Sequence, residues 1–190
     1  VQVSQQTTGN SVSPAMLISR LETAFTQLSI WSKVSDTIFF VSYNRMIICH
    51  TQLDNFEEGE LAFQKALGFS TEGDFNWFNL HRNYALLCFG SQKYQYTAAI
   101  LQTVKQHKNY VKLKGELKEL WRINEAYINF LFAIGKIELA EDDDSLHGFR
   151  INKFINQVPV FSMDKRGVNI PILVIQFLFL LQQRKYGKVI

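Results

Sequence analysis

Apolar positions recur along this chain at steps of three and four residues, the spacing of helices that each bury one face. Ser13-Pro14 pairs an N-cap residue with a proline suited to the first helical position, and Leu17, Leu21, Ala24, Phe25 and Leu28 follow as one stripe. The spacing predicts a helix over residues 14–30. A second is predicted over 36–52, with Ile38, Phe39, Met46, Ile47 and Cys49 among its apolar residues. A third, over 56–67, turns Leu61, Phe63, Ala66 and Leu67 inward, carries Glu57, Glu58 and Glu60 near its positive end, and has Gly68 as its C-cap. Asp74 is placed to cap a helix over 75–89, and Gly90-Ser91-Gln92 breaks the chain before a fifth helix over 93–107.

A long sixth helix is predicted over 116–134, ending at Gly135, with a further start over 136–140. The acidic run 141–144 reads as a solvated loop, followed by helices over 149–157 and 171–184. Val158 to Ser162 is the single strand candidate, and no alternating run offers it a partner. The expected fold class is therefore all-α. Residues 1–13 form a polar tail ahead of one helical domain, 14–190.

The breaks between helices share a grammar. Leu53-Asp54-Asn55-Phe56-Glu57-Glu58-Gly59, Ser91-Gln92-Lys93-Tyr94-Gln95-Tyr96-Thr97 and Ile134-Gly135-Lys136-Ile137-Glu138-Leu139-Ala140 each run from a polar turn to a large apolar residue and then a small one. Arg184-Lys185-Tyr186-Gly187 begins the pattern again, and the anchors Phe56, Tyr94, Ile137 and Tyr186 stand 38, 43 and 49 residues apart.

On these residues the chain resembles the tetratricopeptide repeat (TPR) family. The best unit is Asp36 to Phe69, in which Phe56 takes the aromatic position, Gly59 and Ala66 the small ones and Phe63 the next large one. Tyr84, Ala85, Tyr94, Thr97, Leu101 and Val104 match a second unit less tightly, and Tyr127, Leu131, Ile134, Gly135 and Ile137 fit the first helix and turn of a third. The signature Trp is absent, the later spacings exceed 34, and an insertion carries the acidic run. The resemblance implies antiparallel helix hairpins stacked as a TPR-like α-solenoid. Another α-solenoid and a non-repeating bundle are the alternatives. The last unit breaks off at Ile190, so the expectation is a piece of a longer array with an incomplete last repeat.

In TPR proteins the first helix of each hairpin lines a concave groove that receives a peptide. By position that implies Asn44, Arg45 and Ile48 from the first unit, Asn79, Arg82, Asn83 and Leu86 from the second, and Arg122, Glu125 and Asn129 from the third. Asn amides suit an extended peptide backbone and Arg its carboxylates. The full pattern of a terminal-carboxylate clamp is not matched.

Composition narrows the function classes. With 190 residues and 26 aromatic side chains (16 Phe, 7 Tyr, 3 Trp), the chain supplies a core without disulfides or metal. A net charge of +3 is mild for a nucleic-acid binder, although Lys105, Lys108, Lys112, Lys114, Lys118 and Arg122 crowd one stretch. If the sixth helix starts near Lys114, then Lys114, Lys118 and Arg122 share a face that could meet phosphates or an acidic peptide. Cys49 and Cys88 sit in apolar stretches and read as buried free thiols. The run 170–181 is interrupted by Pro171 and Gln176 and falls short of the roughly 20 residues that span a bilayer. No signal peptide is evident, and the expected location is cytoplasmic.

No catalytic motif is present. His50, His81, His107 and His147 are scattered in sequence, and no spacing of Cys, His or carboxylates suits a metal. Counted from Asp143, Gly148 falls where a calcium loop needs glycine, but the twelfth position is Phe154 rather than Glu. The expectation is a non-enzymatic scaffold with no cofactor, binding a protein or peptide. Self-association through the C-terminal apolar helix is a further expected contact. The alternatives are a regulatory or dimerisation segment of a larger enzyme or signalling protein, and a basic helical repeat that binds nucleic acid.

Overall fold

The computed structural model describes residues 13–28, 36–138, 150–157, 167 and 169–185. Among them it is all-helical: α1 Pro14–Leu28, α2 Asp36–Gln52, α3 Phe56–Leu67, α4 Phe75–Gly90, α5 Tyr94–Gln106, a 3-10 turn Tyr110–Lys112, α6 Gly115–Ala133, α7 Ile151–Gln157 and α8 Asn169–Gln182. No strand occurs among the described residues, and the candidate at 158–162 lies outside them. So do the acidic run 141–144 and residues 139–140 of the predicted helix start, while Lys136, Ile137 and Glu138 are not helical.

Local chemistry sets the helix starts. The Ser13 hydroxyl accepts from Met16 N at 3.3 Å, Asn55 Oδ1 accepts from Glu58 N at 3.4 Å, and Asp74 Oδ1 accepts from Trp77 N at 2.7 Å. Each satisfies a donor that the first helical turn leaves without a partner. α3 stops at Gly68, its expected C-cap. Gly68 has φ −62°, so its freedom for left-handed backbone is unused. The Ser70 hydroxyl and the backbone N–H groups of Phe69 and Ser70 satisfy the last carbonyls instead.

Four helix ends share one turn. Asp54, Gln92, Gly135 and Arg184 all have left-handed backbone, with φ of 52°, 58°, 72° and 57°. The next residue in each case donates its N–H five residues back: Asn55 to His50, Lys93 to Cys88, Lys136 to Leu131 and Lys185 to Leu180, all at 2.8–3.0 Å. This is the Schellman arrangement, which caps the last carbonyls and turns the chain back. The left-handed residues are spaced like the sequence anchors, each lying two positions before one.

Packing follows chain order. α1 packs on α2, α2 on α3 and α4, α3 on α4, α4 on α5, and α5 on α6, while α6, α7 and α8 pack on one another. Two apolar clusters result. The larger joins Ile47, Phe63, Phe78, Leu80, Leu87, Leu101, Val104 and Trp121 across α2–α6. The smaller joins Ile123 and Ala126 of α6 to Phe154 of α7 and Ile172, Ile175 and Phe179 of α8. α6 therefore buries two faces, one toward each cluster.

Within the helices, Gly59 of α3 lies close against its neighbours. A Cβ there would fall 2.5 Å from Leu87 Cδ2 and 3.2 Å from His50 Cβ, so glycine lets α3 sit this near α2 and α4 without displacing Leu87. Phe63 stacks on Tyr84 with ring centres 4.0 Å apart, and the Tyr84 hydroxyl donates to Glu60 Oε1 at 2.8 Å, pinning α3 to α4. Two expected inward residues face out. Leu61 is 52% exposed, and Leu17 is exposed while its neighbour Ile18 is buried. Cys49 and Cys88 are buried free thiols.

Candidate functional site

The groove positions separate into two kinds. Asn44, Asn83 and Asn129 are buried and committed to the fold. Asn83 Nδ2 donates to Asn44 Oδ1 at 3.0 Å, joining α4 to α2, and Asn129 Nδ2 donates to the Glu125 carbonyl at 2.8 Å within α6. The Glu125 carboxylate forms an ion pair with Lys105 of α5. Arg45 is exposed, and Ile48, Asn79, Arg82 and Arg122 are half-buried. Of the groove positions, these and Leu86 keep side chains nearest to solvent.

Arg82 is the most constrained of them. Its Nη1 reaches Asn83 Oδ1 at 3.5 Å, the outer limit of a hydrogen bond. Its Nε is shut off from water and has no acceptor. Burial lowers the guanidinium pKa from its ordinary value, and the Glu116 carboxylate opposes that shift. Arginine remains charged under any such shift of ordinary size, so a cation stands in an apolar setting.

That setting is a cavity of about 330 Å³ between α4 and α6. Arg82, Ala85, Leu86 and Phe89 line it from α4, and Leu120, Ile123, Asn124, Tyr127 and Ile128 from α6. Thr97 of α5 and Pro171 of α8 complete its wall. The Tyr127 hydroxyl donates to the Pro171 carbonyl at 2.9 Å, holding the start of α8 against this rim. Asn124 Nδ2 is a second buried donor with no acceptor. Arg82 and Leu86 are groove positions in the sequence reading, whereas Asn124, Phe89 and Tyr127 are not. Asn124 carries a weak sequence cue, an amide between Ile123 and the charged Glu125 on a helix whose two faces are both apolar.

The basic stretch is partly used internally. Lys105 pairs with Glu125, and Lys118 donates to the Tyr110 carbonyl at 3.0 Å while lying 3.5 Å from the Tyr110 ring centre. Burial lowers the Lys118 pKa first, with Arg122 acting in the same direction. A phosphate-binding face on α6 would have to give up these contacts.

Two of the sequence-distant histidines pack on one indole ring. His81 and His107 both pack on the Trp77 ring, with centres 3.9 Å and 5.3 Å from it, and His81 Nδ1 donates to the Trp77 carbonyl at 2.9 Å. Among the described residues no group of three or more His, Cys, Asp or Glu could hold a metal ion, and His147 lies outside them. Burial raises the Cys88 thiol to about 12, so it is a poor nucleophile at neutral pH. No helix among the described residues is long and apolar enough to cross a membrane.

No protein-family model, curated protein or solved structure matches the chain. The fold alone sets the class: among the described residues the protein is all-helical, and the same turn ends α2, α4, α6 and α8. Its distinguishing site is the apolar, guanidinium-bearing cavity between α4 and α6.

Proposed function

We propose that this chain is a non-enzymatic scaffold of stacked, TPR-like helix hairpins that binds a peptide or protein along α2, α4 and α6. The carrying observation is the recurrence of one turn, left-handed at Asp54, Gln92, Gly135 and Arg184, two residues before each of the sequence anchors. A hairpin of this kind cannot bury both faces alone, so hairpins stack and leave a continuous surface for a partner. Arg45, Asn79, Arg82, Leu86 and Arg122 are exposed or half-buried there, while the Asn83–Asn44 bond joins α4 to α2 and Asn129 bonds within α6.

The test is selection of peptides from a displayed random library against the wild-type chain. Selected peptides are then measured against an Arg45→Ala/Arg122→Ala variant whose fold is checked by circular dichroism. The reading expects a shared sequence pattern and a loss of affinity of about tenfold or more in the variant. No enrichment, or equal affinity for both forms, would contradict it.

A second reading, self-association through α8, is favoured by one observation. Ile170, Leu173, Val174, Phe177 and Leu181 are exposed on a helix that buries Ile172, Ile175 and Phe179. Sedimentation of the wild type and a Leu173→Asp/Phe177→Asp variant tests it. A wild-type dimer that the variant abolishes supports this reading, and a monomer at all concentrations contradicts it.

A further inference from the structure

The cavity between α4 and α6 is partly open to solvent, and two of its lining residues carry buried donors that nothing in the protein satisfies, Arg82 Nε and Asn124 Nδ2. We propose that this cavity is a binding site for a small amphiphilic carboxylate, its apolar body held by Ala85, Phe89 and Ile123 and its carboxylate received by Arg82 and Asn124. This site shares Arg82 and Leu86 with the peptide-binding surface proposed above but does not depend on that reading.

Three features favour that ligand class. The first is size. At about 330 Å³ the cavity suits a small organic ligand rather than a drug-sized one. That places it at the small end of ligand pockets and leaves room for more than one side chain of a docked peptide. The second is the polarity of the free groups. Both are donors, so the ligand must bring an acceptor, and an anionic one pairs with a guanidinium more strongly than a neutral one. The third is charge balance. Glu116 already acts on Arg82, so the site has one partly offset cation to spend on one negative charge. A monoanionic carboxylate suits it better than a dianionic phosphate.

Neither donor atom is reached by water in this conformation. The carboxylate therefore engages them after both side chains rotate toward the cavity, Arg82 giving up its 3.5 Å contact to Asn83. An arginine kept for stability would make its hydrogen bonds within the protein. The Nε of Arg82 makes none.

Calorimetric titration with naphthalene-2-carboxylate and its neutral analogue 2-acetylnaphthalene tests the proposal. Measurements use the wild-type chain and the Arg82→Met and Asn124→Leu variants, with folding checked by circular dichroism. The expected result is a carboxylate affinity about tenfold or more above that of the ketone in the wild type. Each variant should lower that preference, and Arg82→Met should abolish it with binding of the ketone retained. Equal binding of the two compounds by the wild type, binding of neither, or a preference unchanged in both variants would overturn the site. If one variant fails to fold, the other still decides between these outcomes. Loss of peptide binding in the preceding test would leave this result untouched.

Discussion

The contact of α3 with α4 and the space between α4 and α6 differ in what lies between the helices. At the first, Gly59 lets the backbone approach Leu87, Phe63 stacks on Tyr84, and Tyr84 hydrogen-bonds to Glu60. At the second, Phe89 of α4 and Leu120 and Tyr127 of α6 surround a cavity of about 330 Å³ that holds two unpaired donors. Small residues allow helices to close upon each other, while large and polar ones leave volume that the chain does not fill. The α3–α4 contact is built for rigidity. The α4–α6 space has the character of a site, where unsatisfied groups and unfilled volume are tolerated because something else supplies the contacts.

The largest effect that separates the two regions is expected from paired truncations. Phe63→Ala removes a buried ring from the tight contact and should cost about 3–5 kcal/mol in urea unfolding. Phe89→Ala enlarges a cavity that already exists around a half-buried ring and should cost about half as much or less. Equal costs would erase the distinction. Next comes backbone approach. Gly59→Ala should destabilise by about 1–2 kcal/mol, because overpacking against Leu87 outweighs the gain in helix propensity. Gly90→Ala, whose Cβ would meet only Thr51 Cγ2 at 3.9 Å, should be neutral or stabilising by up to about 1 kcal/mol.

Stability should also depend on pH. Burial is the main cause holding the His50 and His81 pKa values below the ordinary imidazole value. Glu58 and Glu22 oppose it at His50, and the Trp77 hydrogen bond and Glu72 oppose it at His81. The unfolded chain takes up protons near pH 6.5, the folded chain only lower, so the unfolded state holds more protons in between. The contribution of these two histidines is complete above about pH 6.5 and is lost as the pH falls. The melting temperature should therefore drop between pH 7 and pH 5. His50→Met should flatten that slope and raise stability near neutrality, because both ring nitrogens of His50 are buried without partners. An unchanged slope would remove His50 from the account.

The smallest expected effect concerns the recurring turn. Gln92→Gly should stabilise by about 0.5–1 kcal/mol, and Gly135→Ala should destabilise by a similar amount, since both positions have φ above +50°. Opposite signs in thermal melts would confirm that the two turns use the same geometry.

Much of the fold is legible in the sequence where the cue is local. Ser13, Asn55 and Asp74 are side chains whose capping chemistry acts within three residues, and the bounds 36–52 and 56–67 agree with the observed helices. The turns at Asp54, Gln92, Gly135 and Arg184 leave a pattern because each must be polar and reverse the chain. The cues fail where neighbours decide. Leu61 fits an inward stripe but is half exposed to solvent. Arg82 is visible as a groove residue, but its pairing with a cavity is not. The cavity depends on the spacing of α4 and α6, which no residue in either helix encodes alone. Asn44 and Asn83 read as ligand-binding amides, yet they bond to each other across 39 residues.

The scaffold reading is tested most directly by mapping where a selected peptide touches the chain. Backbone amide shifts of the isotope-labelled protein, recorded by NMR as the peptide is added, report this residue by residue. The account predicts the largest changes on α2, α4 and α6 around Arg45, Asn79, Leu86 and Arg122. Changes confined to the exposed face of α8, or to α3 and α5, would contradict it.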